Sequence, residues 1–278
     1  MTDLKENSMK KYKLLVLDID GTLTNSKKKI TPATLNALLT LQEEGIKVVL
    51  ASGRPTAGIR ALAKELKLDH YGSFILSYNG AKIIDCKTEE IIYQNVIPRQ
   101  FIKRLYEAAL KHKVGIISYE EDCVIAGTPM DPYIEKEAFI NKIPVKEVNN
   151  FSEYITFDVN KCLMTGEGTY LATVEEKMKE EFGSELSIYR SEPFFLEIMP
   201  QHVDKAYSLG KLLDHLGLSK DEMICCGDGF NDMSMIQFAG LGVAMANAQD
   251  KVREVADYIT LSNDEDGIVH VIDKFIWA

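Results

Sequence analysis

The chain has 278 residues, 46% of them hydrophobic, which suits one large or two modest globular domains. Acidic residues outnumber basic ones by 42 to 32, and the formal net charge of −10 works against sequence-independent attraction to nucleic acid or an anionic membrane. No run approaches the ~20 apolar residues that a membrane span needs, so a cytoplasmic location and no membrane partner are expected.

Residues 1–11 read as a loose polar leader, with Met9 an alternative start and no signal peptide. The first apolar run, Leu14-Leu15-Val16-Leu17, then meets Asp18-Ile19-Asp20-Gly21-Thr22. A buried strand is expected to end there, with both carboxylates on one side if the extended geometry persists. Two like charges so close need a cation, a phosphate-binding network or a shared proton. A calcium loop is excluded, since the positions that would need glycine and a carboxylate are Leu23 and Lys29.

Thr31-Pro32 predicts a helix start and Gly45 its end, giving a helix over about 32–44. Ile46 to Ala51 reads as a second buried strand, ending in Ser52-Gly53-Arg54-Pro55. A helix over 56–68 and a strand over 73–77 follow, and that strand runs into Tyr78-Asn79-Gly80. Strands alternating with helices predict a parallel sheet covered on both faces, with ligands outside the carboxyl ends of its strands. Asp18, Asp20, Ser52, Arg54 and Asn79 all fall at such ends.

From about Lys82 the grammar changes. Paired strands at 115–119 and 123–126, and at 187–189 and 194–198, alternate with helices at about 98–113, 131–140 and 169–182. An inserted α+β domain with an antiparallel sheet is expected. The βα pattern returns after Pro200: a helix over about 203–216 carries Lys205 in its first turn, and Met223 to Cys226 ends in Gly227-Asp228-Gly229-Phe230-Asn231-Asp232. The five cysteines include no Cys-x-x-Cys pair, so neither a zinc cage nor a disulfide framework is expected, and Cys225-Cys226 reads as strand filling.

Several strand or helix ends thus bring carboxylates, a hydroxyl, a lysine and two asparagines toward one crevice. Clustered carboxylates suit Mg²⁺, and a lysine and a hydroxyl suit phosphoryl oxygens. The four segments resemble the haloacid dehalogenase (HAD) superfamily, in its Cof-type subfamily IIB branch, over the whole chain. The resemblance implies an α/β Rossmann-like parallel-sheet core at 1–82 and 199–278, with an α+β cap of the C2B type at 83–198 that carries substrate specificity.

It also implies a phosphatase acting through an aspartyl-phosphate on small phosphorylated metabolites, sugar phosphates foremost. Asp18 would be the nucleophile and Asp20 the general acid and base. Ser52 and Lys205 would hold the phosphoryl oxygens. Mg²⁺ would be bound by Asp18, the backbone carbonyl of Asp20 and Asp228, with Asp232 nearby. Gly53 and Arg54 would face the substrate, and Asn79 and Asn231 would position the phosphoryl group or Lys205. A phosphotransferase or phosphomutase using the same loops is the alternative. No obligate protein partner is implied.

Overall fold

The computed structural model describes residues 11–278, so the leader with Met9 lies, except for Lys11, outside the described residues. Fourteen strands are present among them. In chain order they are β1 (Leu14–Leu17), β2 (Lys47–Ala51), β3 (Phe74–Ser77), β4 (Lys82–Asp85), β5 (Ile91–Gln94), β6 (Gly115–Glu120) and β7 (Cys123–Ala126), followed by β8 (Val145–Glu147), β9 (Cys162–Thr165), β10 (Leu186–Glu192), β11 (Phe195–Pro200), β12 (Met223–Gly227), β13 (Leu241–Ala244) and β14 (Tyr258–Ile259).

They form two sheets: β14-β13-β12-β1-β2-β3-β4-β5, and β10-β11-β9-β6-β7-β8. In the first sheet the pairs from β14 through β3 are parallel, with β1 central between β12 and β2. Alternation along these strands sorts the interior. Leu15, Leu17, Val48, Leu50, Ile224 and Cys226 pack in one buried cluster. Leu14, Val16, Val49, Ala51, Met223 and Cys225 pack in another. A period of two in which both sets are apolar is the mark of a sheet covered on both faces. The helix Lys205–Leu216 supplies Leu209, Leu212 and Leu213 to the second cluster, so it lies on the face that Leu14 and Val16 share.

The second sheet packs one face on the helices Gln100–His112 and Gly168–Phe182, through Phe101, Leu105, Met164, Phe182 and Leu196. Its other face carries Ile117, Tyr119, Leu163, Phe195 and Met199, which cluster with Tyr78 and Ala81 of the first unit. This face is turned toward the carboxyl ends of the parallel strands.

Three expectations change. The segment 82–94 carries β4 and β5, which pair antiparallel with β3 and with each other and so extend the first sheet. Locally a hairpin is the same object in either sheet, and only its partner strand decides. We therefore propose moving the first junction from 82/83 to about 95–99, and the second to about 201–204. Asn160 ties this region together, donating to the carbonyls of Ala81 (3.1 Å) and Asn95 (2.8 Å). Second, the cap sheet is mixed rather than wholly antiparallel, because β8 joins β7 in parallel. Third, the helix expected over 56–68 stops at Glu65, and Leu68–Tyr71 forms a separate turn after Lys67 adopts the left-handed conformation at φ 51°. No helix among the described residues is long and apolar enough to cross a membrane.

If the cap has its own core, damage to that core should stay local. Leu105 is fully buried there, and Leu105→Ala should cost about 2–5 kcal/mol. Hydrogen exchange should then show protection lost in β6, β9 and β11 while β1, β2 and β12 keep theirs. Equal loss in both units would refute separate cores.

Candidate active site

β1 ends at Leu17, and the chain turns at once: Leu23 N–H donates to Asp18 O (3.1 Å) and Thr24 N–H to Ile19 O (2.9 Å). Asp18 continues the Leu14–Val16 side of the strand and so faces the helix that begins with Lys205. Lys205, 1% exposed, donates to Asp18 Oδ1 (2.9 Å), to Asp232 Oδ1 (2.6 Å) and to the carbonyl of Ala51 (2.8 Å). All three ammonium protons are engaged. Burial alone would lower the lysine, but the two carboxylates outweigh it and hold it charged, well above its ordinary range.

Asp20 does not stay beside Asp18. The extended geometry ends before it, and its carboxylate takes Arg54 Nε (2.8 Å) on Oδ2, with Arg54 Nη2 (2.7 Å) and Lys28 Nζ (2.9 Å) on Oδ1. Burial would raise this carboxyl, yet the fork-on-fork contact with Arg54 and the Lys28 charge outweigh that and set it below the usual range. Arg54, expected at the substrate, is here the partner of Asp20.

Asp228 follows β12 and accepts from Thr22 Oγ1 (2.9 Å). Gly21, at φ +92°, makes this approach possible, since a Cβ there would lie 2.3 Å from Asp228 Oδ2. Asp232 is fully buried. Its Oδ2 accepts the backbone N–H groups of Asp228 (3.0 Å) and Gly229 (2.9 Å), while Oδ1 accepts Lys205, so it braces both the loop and the lysine.

Asp18, Asp228 and Asp232 each offer a carboxylate oxygen within 4.8 Å of the others. One ammonium cannot neutralise three carboxylates. Burial, followed by the charge of Asp232, pushes the Asp18 carboxyl well up despite the pull of Lys205. Burial likewise pushes Asp228 up to about 6. An all-oxygen, negatively charged, half-desolvated donor set of this kind fits a hard divalent cation. Asp232, with both oxygens already engaged, is the least suited of the three to bind one directly.

Ser52 is buried, and its Oγ accepts the N–H of Arg54 (3.2 Å) rather than capping the following helix, whose N-cap is Pro55. Asn79 sits in a run of positive φ, with Tyr78 at 52°, Asn79 at 54° and Gly80 at 102°. Non-glycine residues held this way are costly and concentrate at functional loops. Asn79 accepts from Asn231 Nδ2 (3.1 Å) and donates to Tyr189 OH of the cap (3.3 Å). The two asparagines therefore do not reach Lys205; they link the Asp228 loop to the cap. Gly53 lies beside them, where a Cβ would stand 3.1 Å from the Asn79 amide.

One cavity of about 930 Å³ is lined by Asp18, Asp20, Ser52, Lys205, Asp228 and Asn231 from the first unit. Cap residues line it as well, among them Lys161, Tyr189 and Glu197. Lys28, Thr22, Lys161 and Glu197 were not anticipated. A charged residue in a strand otherwise apolar, as in Phe195-Leu196-Glu197-Ile198-Met199, was the available signal for the last of these.

Comparison with known proteins agrees with this geometry. The family model described as haloacid dehalogenase-like hydrolase matches residues 15–272. A solved haloacid dehalogenase-like hydrolase from Bacteroides thetaiotaomicron superposes with a TM-score of 0.92 at 49% identity, covering 95% of this chain and 99% of that one. The structure described as the HAD subclass IIB sugar phosphatase BT4131 gives a TM-score of 0.78 at 28% identity, covering 95% and 98%. The 5-amino-6-(5-phospho-D-ribitylamino)uracil phosphatase YcsE of Bacillus subtilis (strain 168) is 31% identical over 264 residues, 95% of this chain and 96% of its own length. The chain belongs to the haloacid dehalogenase-like hydrolases and is a phosphatase of that superfamily.

Proposed function

We propose that this phosphatase hydrolyses small phosphorylated metabolites, sugar phosphates foremost, in the cytoplasm, through a phosphoryl-enzyme on Asp18 and with Mg²⁺ as cofactor. The observation that carries the reading is the buried Asp18–Lys205–Asp232 ion triplet at the end of β1, with Asp228 alongside. The sugar phosphatase neighbour and the relative named for a phosphoribitylamino compound support the substrate class.

Lys205 orients Asp18 by holding Oδ1, so the carboxylate is presented to the cavity in a fixed attitude. Asp18 attacks phosphorus, the bond from phosphorus to the substrate oxygen breaks, and an aspartyl-phosphate forms. Lys205 and Ser52 carry the charge of the phosphoryl oxygens. Asp20 gives its proton to the departing alkoxide and then takes one from the water that attacks the acyl phosphate. To do this it exchanges the Arg54–Lys28 clamp, which favours the anion, for contact with the substrate. Asp18, the Asp20 carbonyl and Asp228 would hold Mg²⁺, which neutralises phosphoryl charge and relieves the repulsion among the carboxylates when bound.

Asp18→Asn removes the nucleophile and should lower release of free phosphate from an aryl phosphate by at least about 10³-fold, with unchanged circular dichroism. EDTA should abolish turnover of the wild type and added Mg²⁺ restore it. Turnover that persists in EDTA would sink the metal assignment.

The raised Asp228 carboxyl has a pH signature. Because its folded value, about 6, exceeds that of a free aspartate, the metal-free native state binds more protons than the unfolded chain between roughly pH 4 and 6. Its contribution to stability is therefore fully present at low pH and is lost as pH rises through that window. In EDTA, Asp228→Asn should raise Tm relative to wild type more at pH 7.5 than at pH 5. A Tm difference independent of pH would refute the assignment.

A further inference from the structure

The cavity that holds Asp18 has a second charged wall, on the cap. Successive strands send alternate side chains to the same face, and Ile117, Tyr119, Leu163, Phe195 and Met199 mark the cap face turned to the cavity. Glu197 shares that parity and pairs with Tyr189, Lys161 immediately precedes β9, and Ser191 lies at the bulge of β10; all four line the cavity together with Glu137 and Asn141. The helix-packed face of the same strands also carries Arg190, paired with Glu175, but the Lys161–Glu197 pair stands on the side that meets the ligand space.

The set is tightly built. Lys161 Nζ pairs with Glu197 Oε2 at 3.0 Å, with side chains only 4% and 10% exposed. Glu197 Oε1 accepts Ser191 Oγ (2.8 Å). Glu137, also buried, accepts Tyr119 OH (2.6 Å) and Asn141 Nδ2 (2.9 Å) on Oε1. Both glutamates hold Lys161 charged against burial. Buried ion pairs rarely add stability over apolar packing of the same volume, so three desolvated charges on a cavity wall call for a role in recognition.

The balance of charge indicates what is recognised. Two carboxylates face one ammonium, and Glu192 lies on the same cavity. A second phosphate or a carboxylate on the substrate would meet excess negative charge. An ammonium would meet Lys161. A hydroxyl both donates and accepts, and adjacent hydroxyls suit a wall that alternates acceptor, donor, acceptor.

Resting on the phosphatase reading above, we propose that the cap wall formed by Lys161, Glu197 and Glu137 binds the uncharged, multiply hydroxylated part of a phosphomonoester and discriminates against substrates bearing a second anionic group there. A site built to bond hydroxyls rejects analogues that lack them far better than an apolar pocket does.

The test compares kcat/KM for glucose 6-phosphate, 6-phosphogluconate and phenyl phosphate on the wild type, Glu197→Gln and Glu137→Gln. Calorimetric binding of the two sugar compounds to the Asp18→Asn protein is measured in parallel. The wild type should favour glucose 6-phosphate over each of the others by about tenfold or more, and each glutamine variant should shrink the preference over 6-phosphogluconate about tenfold. If a glutamine variant does not fold, Ser191→Ala serves as the milder change and should shrink the same ratio less. Equal loss on all three substrates marks a structural network and overturns the proposal, as does a wild-type preference for the carboxylated compound. If no phosphomonoester is hydrolysed, the phosphatase reading fails, and calorimetry still decides the wall: tighter binding of glucose 6-phosphate upholds it, and equal, weaker or absent binding overturns it.

Discussion

The structure depends on a lysine buried between two aspartates. Lys205 opens a helix that packs on one face of the parallel sheet, and its ammonium reaches Asp18, Asp232 and the carbonyl of Ala51. An unpaired ammonium at that depth would lose its charge, and unpaired carboxylates would take up protons. Each ion is tolerated only because the others are there. The triplet thereby fixes three chain segments far apart in sequence: the end of β1, the end of β2 and the loop after β12.

That arrangement separates the two acids of the first loop. Asp18 is buried against one ammonium and repelled by Asp232, which drives its carboxyl upward. Asp20, two residues on, is gripped by Arg54 and Lys28 and driven downward. Neighbours in sequence thus stand in opposite electrostatic environments, Asp18 pushed toward the protonated form and Asp20 held as the anion. The fork of Arg54 on Asp20 stabilises the anion and not the acid.

The cap makes its own use of buried charge. Its sheet presents apolar residues to its helices and a mixture of apolar and ionic residues to the cavity. The link from Asn231 through Asn79 to Tyr189 runs from the Asp228 loop into this wall. The strained backbone at Tyr78 and Asn79 keeps the middle member in place. The two units therefore line one cavity while resting on separate apolar clusters.

The sequence by itself determined the parallel core, because β1, β2 and β12 are apolar on both faces and each stops at a polar turn. It also marked Asp18, Ser52, Lys205 and Asp228, since charged or hydroxyl residues directly after a buried strand, or at the start of a helix beside one, have few structural reasons to be there. It could not assign β4 and β5 to a sheet, because a hairpin carries no record of the third strand that it joins. Nor could it show that Arg54 and Lys28 hold Asp20, that Asp232 braces Lys205, or that Lys161, Glu137 and Glu197 converge. Those are contacts between side chains remote in sequence, and burial and charge pairing exist only once the tertiary structure has brought both partners out of water.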